Sequence, residues 1–244
     1  MKKDMELIKA PVSVGLGTLD ISFNLTVPLY RSENDEAPID TLTFTRDEKG
    51  VWHYETNRLN SFRPYIMEGG DTDEEAIEHI NIGLIRFPPR LSFRVLEAND
   101  NFYRVVVNES SFETVVIRKD PDYMEWLGHA LGFYEALPAL KMRPNIKGYY
   151  FYETWERLLL RAQFINFNGS YSVYEAPEGK KIFKKTDRKF LPYSVVQVSG
   201  DWLKVEKARG GYDGYFEGIQ NAEGWVKWKN DTEILVRITE YTIE

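Results

Sequence analysis

Apolar and polar residues alternate along much of the chain. In Asp201–Lys207 and Gly224–Lys229 the period is two, the pattern of strands with one buried face. It puts Leu203, Val205, Val226 and Trp228 inward, and Trp202 and Trp225 outward beside Lys204 and Lys227. A glycine-rich loop, "ARGGYDGYFEGIQNAE", separates the two runs. Two segments have helical spacing instead. Thr72 and Glu75 form a capping-box pair before Ala76, Ile77 and Ile80, which predicts a short helix. In 120–140, Trp126, Leu127, Ala130, Leu131 and Tyr134 recur at helical intervals; Asp120 or Asp122 could cap that helix, and Pro138 ends it.

The strand pattern is used twice. "ISFNLTVPLYR" (21–31) matches "INFNGSYSVYE" (165–175) at an offset of 144, with Ile21/Ile165, Phe23/Phe167, Asn24/Asn168 and Tyr30/Tyr174 identical. "LSFRVLEANDNFYRVVV" (91–107) matches "LPYSVVQVSGDWLKVEK" (191–207) at an offset of 100, and "TVVIRKD" (114–120) lies over "WVKWKND" (225–231). Three weak matches in one order imply two copies of one all-β unit. The fall in offset gives the first copy 44 extra residues between Tyr30 and Leu91. The segment 149–167 fits either a helix from Thr154 or a long strand. The strand reading is preferred for Leu159–Phe167, because its counterpart "LDISFN" is strand-like.

Composition narrows the class. Hydrophobic residues at 43% and charged residues at 28% are ordinary for a globular chain, and 14% aromatics suit β structure. A net charge of −7 disfavours generic nucleic-acid binding. "KKIFKKTDRK" (180–189) is a basic exception, read as a hairpin edge whose lysines discourage edge-to-edge pairing. No apolar stretch is long enough to span a bilayer. The N-terminus has no continuous apolar core of a leader, so a cytoplasmic chain is expected; a trimmed leader would mean an envelope or secreted protein. With no cysteine, disulfides, Cys-zinc sites and thiol nucleophiles are excluded.

The second copy resembles the bacterial SH3-like (SH3b) domain family. "SVYEAPEGKKI" (172–182) is similar to its opening strand and first long loop, and "GDWLKVE" (200–206) and "GWVKWKN" (224–230) to its central and closing strands. The resemblance implies a mainly β protein of two SH3-like small barrels: residues 12–119 with an insertion at 46–90, a helical linker at 120–147, and residues 148–244. The first barrel's insertion carries the short helix.

Family members are usually binding or targeting modules for peptides or peptidoglycan. The expectation is a non-catalytic protein whose partner is an extended peptide or cell-wall glycopeptide. Its aromatic groove would comprise Tyr174, Tyr193, Trp202 and Trp225, with acidic rims near Glu175 and Asp201. In the first copy Phe102 and Tyr30 are the counterparts, with Thr114 where Trp225 would be. The alternative for these rings is packing against the other barrel, the linker or a partner subunit.

No cofactor, metal or catalytic residue is expected. "DTDEE" (71–75) fails as a calcium loop, with Ala76 and Ile82 where Gly and Glu are needed. The histidines, His53, His79 and His129, lack zinc spacing. Two other classes stay open. One is a cell-wall hydrolase with insertion carboxylates in an inter-domain cleft; the other is a purely structural assembly protein.

Overall fold

The computed structural model describes residues 14–21, 26–46, 48, 52–57, 63–68, 90–119, 123–126, 148–167, 169–187, 189–208 and 211–239. It is mainly β, with several sheets, none closed. The chain divides into two compact units, one of Gly15–Thr154 and one running from Trp155 and including Val14.

The described residues of the first unit form the strands β1 (Gly17–Ile21), β2 (Val27–Leu29), β3 (Asp40–Arg46), β4 (Trp52–Glu55), β5 (Ile66–Glu68), β6 (Arg90–Ala98), β7 (Phe102–Asn108), β8 (Glu113–Arg118), β9 (Tyr123–Trp126) and β10 (Gly148–Thr154). Its main sheet runs β8-β7-β6-β1-β10-β9 with β5 on β6, and β2-β3-β4 form a second sheet. A bridge from Tyr30 to Val116 links the end of β2 to β8. Leu19, Phe93, Val105 and Ile117 are fully buried in one core cluster. The apolar run Val105–Val107 is buried throughout, so β7 is covered on both faces.

The described residues of the second unit form an α-helix, α1 (Trp155–Arg161), and the strands β11 (Phe164–Phe167), β12 (Tyr171–Tyr174), β13 (Lys181–Lys185), β14 (Tyr193–Ser199), β15 (Trp202–Lys207), β16 (Gly224–Lys227) and β17 (Val236–Thr239). They form one sheet in the order β13-β12-β16-β15-β14-β11-β17.

Three expectations change. Residues Leu159–Arg161 are helical, and strand begins only at Phe164. Trp155, Leu158 and Leu159 are buried at i, i+3 and i+4, with Glu156 in the first turn and Arg161 in the last. The Trp155 indole N–H also donates to the Val14 carbonyl at 3.0 Å. Second, within 120–147, Tyr123–Trp126 is a strand parallel to β10, with its backbone committed to that ladder. The other expected helical positions there, and those of 71–80, lie outside the described residues. Third, Gly148–Thr154 pairs with β1 and so belongs to the first sheet, ahead of the point where the second unit begins.

One strand order occurs twice. β3-β2, joined through Tyr30 to β8 and then β7-β6-β1-β10, parallels β13-β12-β16-β15-β14-β11-β17. The central hairpins agree residue by residue. Val95 faces Val105 and Val195 faces Val205; the register then slips so that Glu97 faces Arg104 and Gln197 faces Lys204. The extra residue of each bulge is Leu96 or Val196 at the offset of 100, and Val196 is exposed at 41%.

The outer matches need a two-residue correction. Arg104 pairs with Val116 where Lys204 pairs with Trp225, so Val116 rather than Thr114 stands in the place of Trp225. Likewise Phe93 pairs with Leu19 where Tyr193 pairs with Ile165. A slip of two preserves the face a side chain occupies, which is why the apolar patterns matched in either frame.

Candidate functional site

Leu203, Val205, Val226 and Trp228 are buried in the second unit, as the alternation requires. The Trp228 indole N–H donates to the Gly200 carbonyl at 3.0 Å. Trp202, Trp225 and Tyr174 are half-buried on the opposite face. Tyr174 and Trp202 meet edge to face, with centroids 5.2 Å apart at 87°. Such pairs contribute about 0.5–1.5 kcal/mol beyond area burial.

Register builds the rest. Lys181, Tyr174, Trp225 and Lys204 form one row across β13, β12, β16 and β15, and Gln197 continues it onto β14. The next row brings Lys227 opposite Trp202. The two indoles are therefore diagonal neighbours on one face. Lys181, Lys204 and Lys227 are all exposed, and the Lys181 ammonium lies 5.9 Å from the Tyr174 centroid.

Gly224 makes the approach of β16 to β12 possible. Its φ is +147°, and a Cβ there would come within 2.6 Å of the Tyr174 carbonyl oxygen. The Gly-Trp dipeptide thus seats Trp225 beside Tyr174 by leaving room for the neighbouring backbone.

Tyr193 does not join this face. It is fully buried, and its hydroxyl is 2.5 Å from that of Tyr171. Burial raises both phenols above the ordinary range, Tyr193 to about 12, so neither is a ready phenolate. The reason is parity: Tyr193 shares the inward phase of Val195 on β14, whereas the bulge at Val196 brings Gln197 to the outer face.

The expected acidic rim is also revised. Glu175 is exposed at the loop entrance, but Asp201 pairs with Lys229 at 3.5 Å, and lysines flank the rings. Lys181 was missed because a second bulge, between Val173 and Tyr174, hides which residue of "KKIF" faces Tyr174. Within the basic segment, β13 is the sheet's terminal strand. Lys185 is buried there and paired with Asp187 at 3.2 Å.

The equivalent face of the first unit is closed. Phe102 and Val116 are buried, and Tyr30 lies beneath the Arg118 guanidinium at 3.8 Å. Arg118 donates to the carbonyls of Glu33, at 2.9 Å, and Asp35. The register that equates Val116 with Trp225 equates Arg118 with Lys227.

His53 lies in β4, and the other two histidines fall outside the described residues. Among the described residues, no group of three His, Asp or Glu side chains could hold a metal, and no helix is long and apolar enough to cross a membrane. Comparison of the chain with family models, curated proteins and solved structures found no significant match.

Proposed function

We propose that this is a non-catalytic binding protein of two SH3-like units of the bacterial SH3b type, each strand set curling into a small barrel. In this reading the outer aromatic face of the second unit holds an extended, carboxylate-bearing chain, either a peptide or the glycopeptide of a cell wall. The observation that carries it is the half-exposed Tyr174–Trp225–Trp202 surface, flanked by Lys181, Lys204 and Lys227 on a chain of net charge −7.

Magnitudes divide the labour. Stacking on an aromatic ring contributes about 1–3 kcal/mol per base where the partner is a nucleobase, and about 0.5–1.5 kcal/mol beyond area burial between aromatic side chains. An exposed lysine–carboxylate pair contributes about 0.2–1 kcal/mol. The rings would supply most of the affinity, and the lysines would choose an anionic chain and hasten its encounter. The first unit, with Arg118 over Tyr30, would act as a partner or scaffold.

The test is calorimetric titration of the intact chain with soluble muropeptides and with an extended acidic peptide. Saturable binding of either, weakened about tenfold or more by Trp225→Ala with an unchanged circular dichroism spectrum, supports the proposal. Saturable binding equally strong in Trp225→Ala, or no saturable binding of either ligand, removes it.

A further inference from the structure

A second aromatic constellation in the same unit shares no residue with that face. Four rings from three chain segments form a closed circuit. Phe164 at the start of β11 meets Phe190 at 5.6 Å and 82°, and Phe190 meets Tyr215 at 5.3 Å and 81°. Tyr215 meets Tyr212 at 6.2 Å and 40°, and Tyr212 returns to Phe164 at 5.2 Å and 63°. Opposite members of the circuit make no ring contact with each other. Phe164, Phe190 and Tyr212 are half-buried, and Tyr215 is 44% exposed.

The local sequence explains how the circuit is built. Asp213–Phe216 is a 3-10 turn that follows Tyr212. Side chains three apart eclipse in such a turn, so Tyr212 and Tyr215 stand on one side. Phe216 is buried against Tyr193 at 5.3 Å and anchors the turn to the core. Gln163 donates to the Tyr212 hydroxyl at 3.5 Å, steadying that ring from the strand side.

The electrostatics point to the occupant. Elsewhere, lysine or arginine sits over many of the rings, including Tyr30, Tyr103 and Trp228. Among the described residues none sits over any of these four. Asp213, in the same turn, and the nearby Glu217 are exposed and acidic. With neighbouring centroids 5.2–6.2 Å apart, a point central to the circuit lies no more than about 4 Å from the centroids on average, inside the reach of about 6 Å for cation–π attraction.

We propose that Phe164, Phe190, Tyr212 and Tyr215 form a cage for a quaternary or methylated ammonium group. The four rings would surround a cation whose bulk and weak hydration suit an apolar, π-rich enclosure, with Asp213 adding long-range attraction. The group could arrive as a choline headgroup or a trimethyllysine side chain.

The experiment titrates the intact protein, observed by NMR, with choline, with a trimethyllysine peptide and its unmodified lysine form, and with 3,3-dimethylbutan-1-ol, the neutral isostere of choline. Saturable binding of choline or the trimethyllysine peptide is expected, with shifts at the four rings. The matched neutral alcohol or unmodified lysine should bind about tenfold or more weakly. Whichever cationic probe binds tighter names the source. Tyr215→Ala, at an exposed ring, should weaken that binding about tenfold or more while leaving the fold intact, and Trp225→Ala should not affect it. The proposal is overturned if choline and its neutral isostere bind alike, if Tyr215→Ala binds as wild type, if Trp225→Ala abolishes binding, or if neither cationic probe saturates.

Discussion

The guanidinium of Arg118 covers the ring of Tyr30 at 3.8 Å, while its Nη2 donates to loop carbonyls of Glu33 and Asp35. In the second unit, Lys227 occupies the corresponding place and is exposed, and Tyr174 makes an edge-to-face contact with Trp202 instead. One strand pattern therefore produces a face closed by its own cation and a face left half open.

Arg118→Ala should loosen the first unit around β8. Losing the cation–π contact and two hydrogen bonds costs about 1–2 kcal/mol. Hydrogen exchange at the Val116 amide, bonded to the Tyr30 carbonyl at 2.7 Å, should accelerate about 5- to 30-fold through local opening. Arg118→Lys should recover only part of this, because an ammonium lacks the planar fork. Unchanged exchange in Arg118→Ala would mean that the cap contributes nothing.

The two faces of β15 and β16 should differ in stability. Trp228→Ala removes a ring that is 2% exposed and its bond to Gly200, at a cost of about 3–5 kcal/mol. Trp202→Ala, on the outer face, should cost about 1 kcal/mol. Urea unfolding of the second unit measures both, and equal losses would contradict the assignment of faces.

Gly224→Ala should harm structure and binding together. A Cβ at φ +147° is strained and would press on the Tyr174 carbonyl, so a loss of about 2 kcal/mol or more is expected. The Trp225 indole resonance should move in the same variant. A variant as stable as wild type would show that β16 tolerates retreat from β12.

Glu109 should make stability depend on pH. Burial raises its carboxyl above the ordinary 4.5, outweighing the Arg94 guanidinium bonded to it at 3.1 Å. The folded state then holds a proton the unfolded state has released, so this group's contribution falls as pH rises from 4.5 through the raised value. Glu109→Gln cannot titrate there, so its stability relative to wild type should improve between about pH 4 and about pH 8. Urea midpoints of both proteins across that range provide the check; a constant or opposite difference would contradict it.

Much of this was legible in the sequence because a period of two survives small errors of alignment. Val95/Val195 and Val105/Val205 matched in the correct frame, bulge included. Trp202 and Trp225 were assigned to the correct face from alternation alone. Register across strands was not legible. The alignment of "TVVIRKD" over "WVKWKND" makes Thr114 the counterpart of Trp225, yet hydrogen bonding sets Val116 there. The resemblance implies Tyr193 as a groove residue, but its inward phase on β14 buries it. The strand-like counterpart "LDISFN" favours strand over Leu159–Phe167, whereas burial of Trp155, Leu158 and Leu159 on one helical face makes α1. The circuit of Phe164, Phe190, Tyr212 and Tyr215 joins residues up to 51 positions apart, a juxtaposition no local pattern encodes.

The most direct test follows the indole N–H signals of the intact chain during titration with muropeptide or an extended acidic peptide. The account predicts that the Trp202 and Trp225 signals shift to saturation together, while Trp228, hydrogen-bonded to Gly200 in the core, stays in place. Saturation by either ligand with Trp202 and Trp225 unmoved would contradict it.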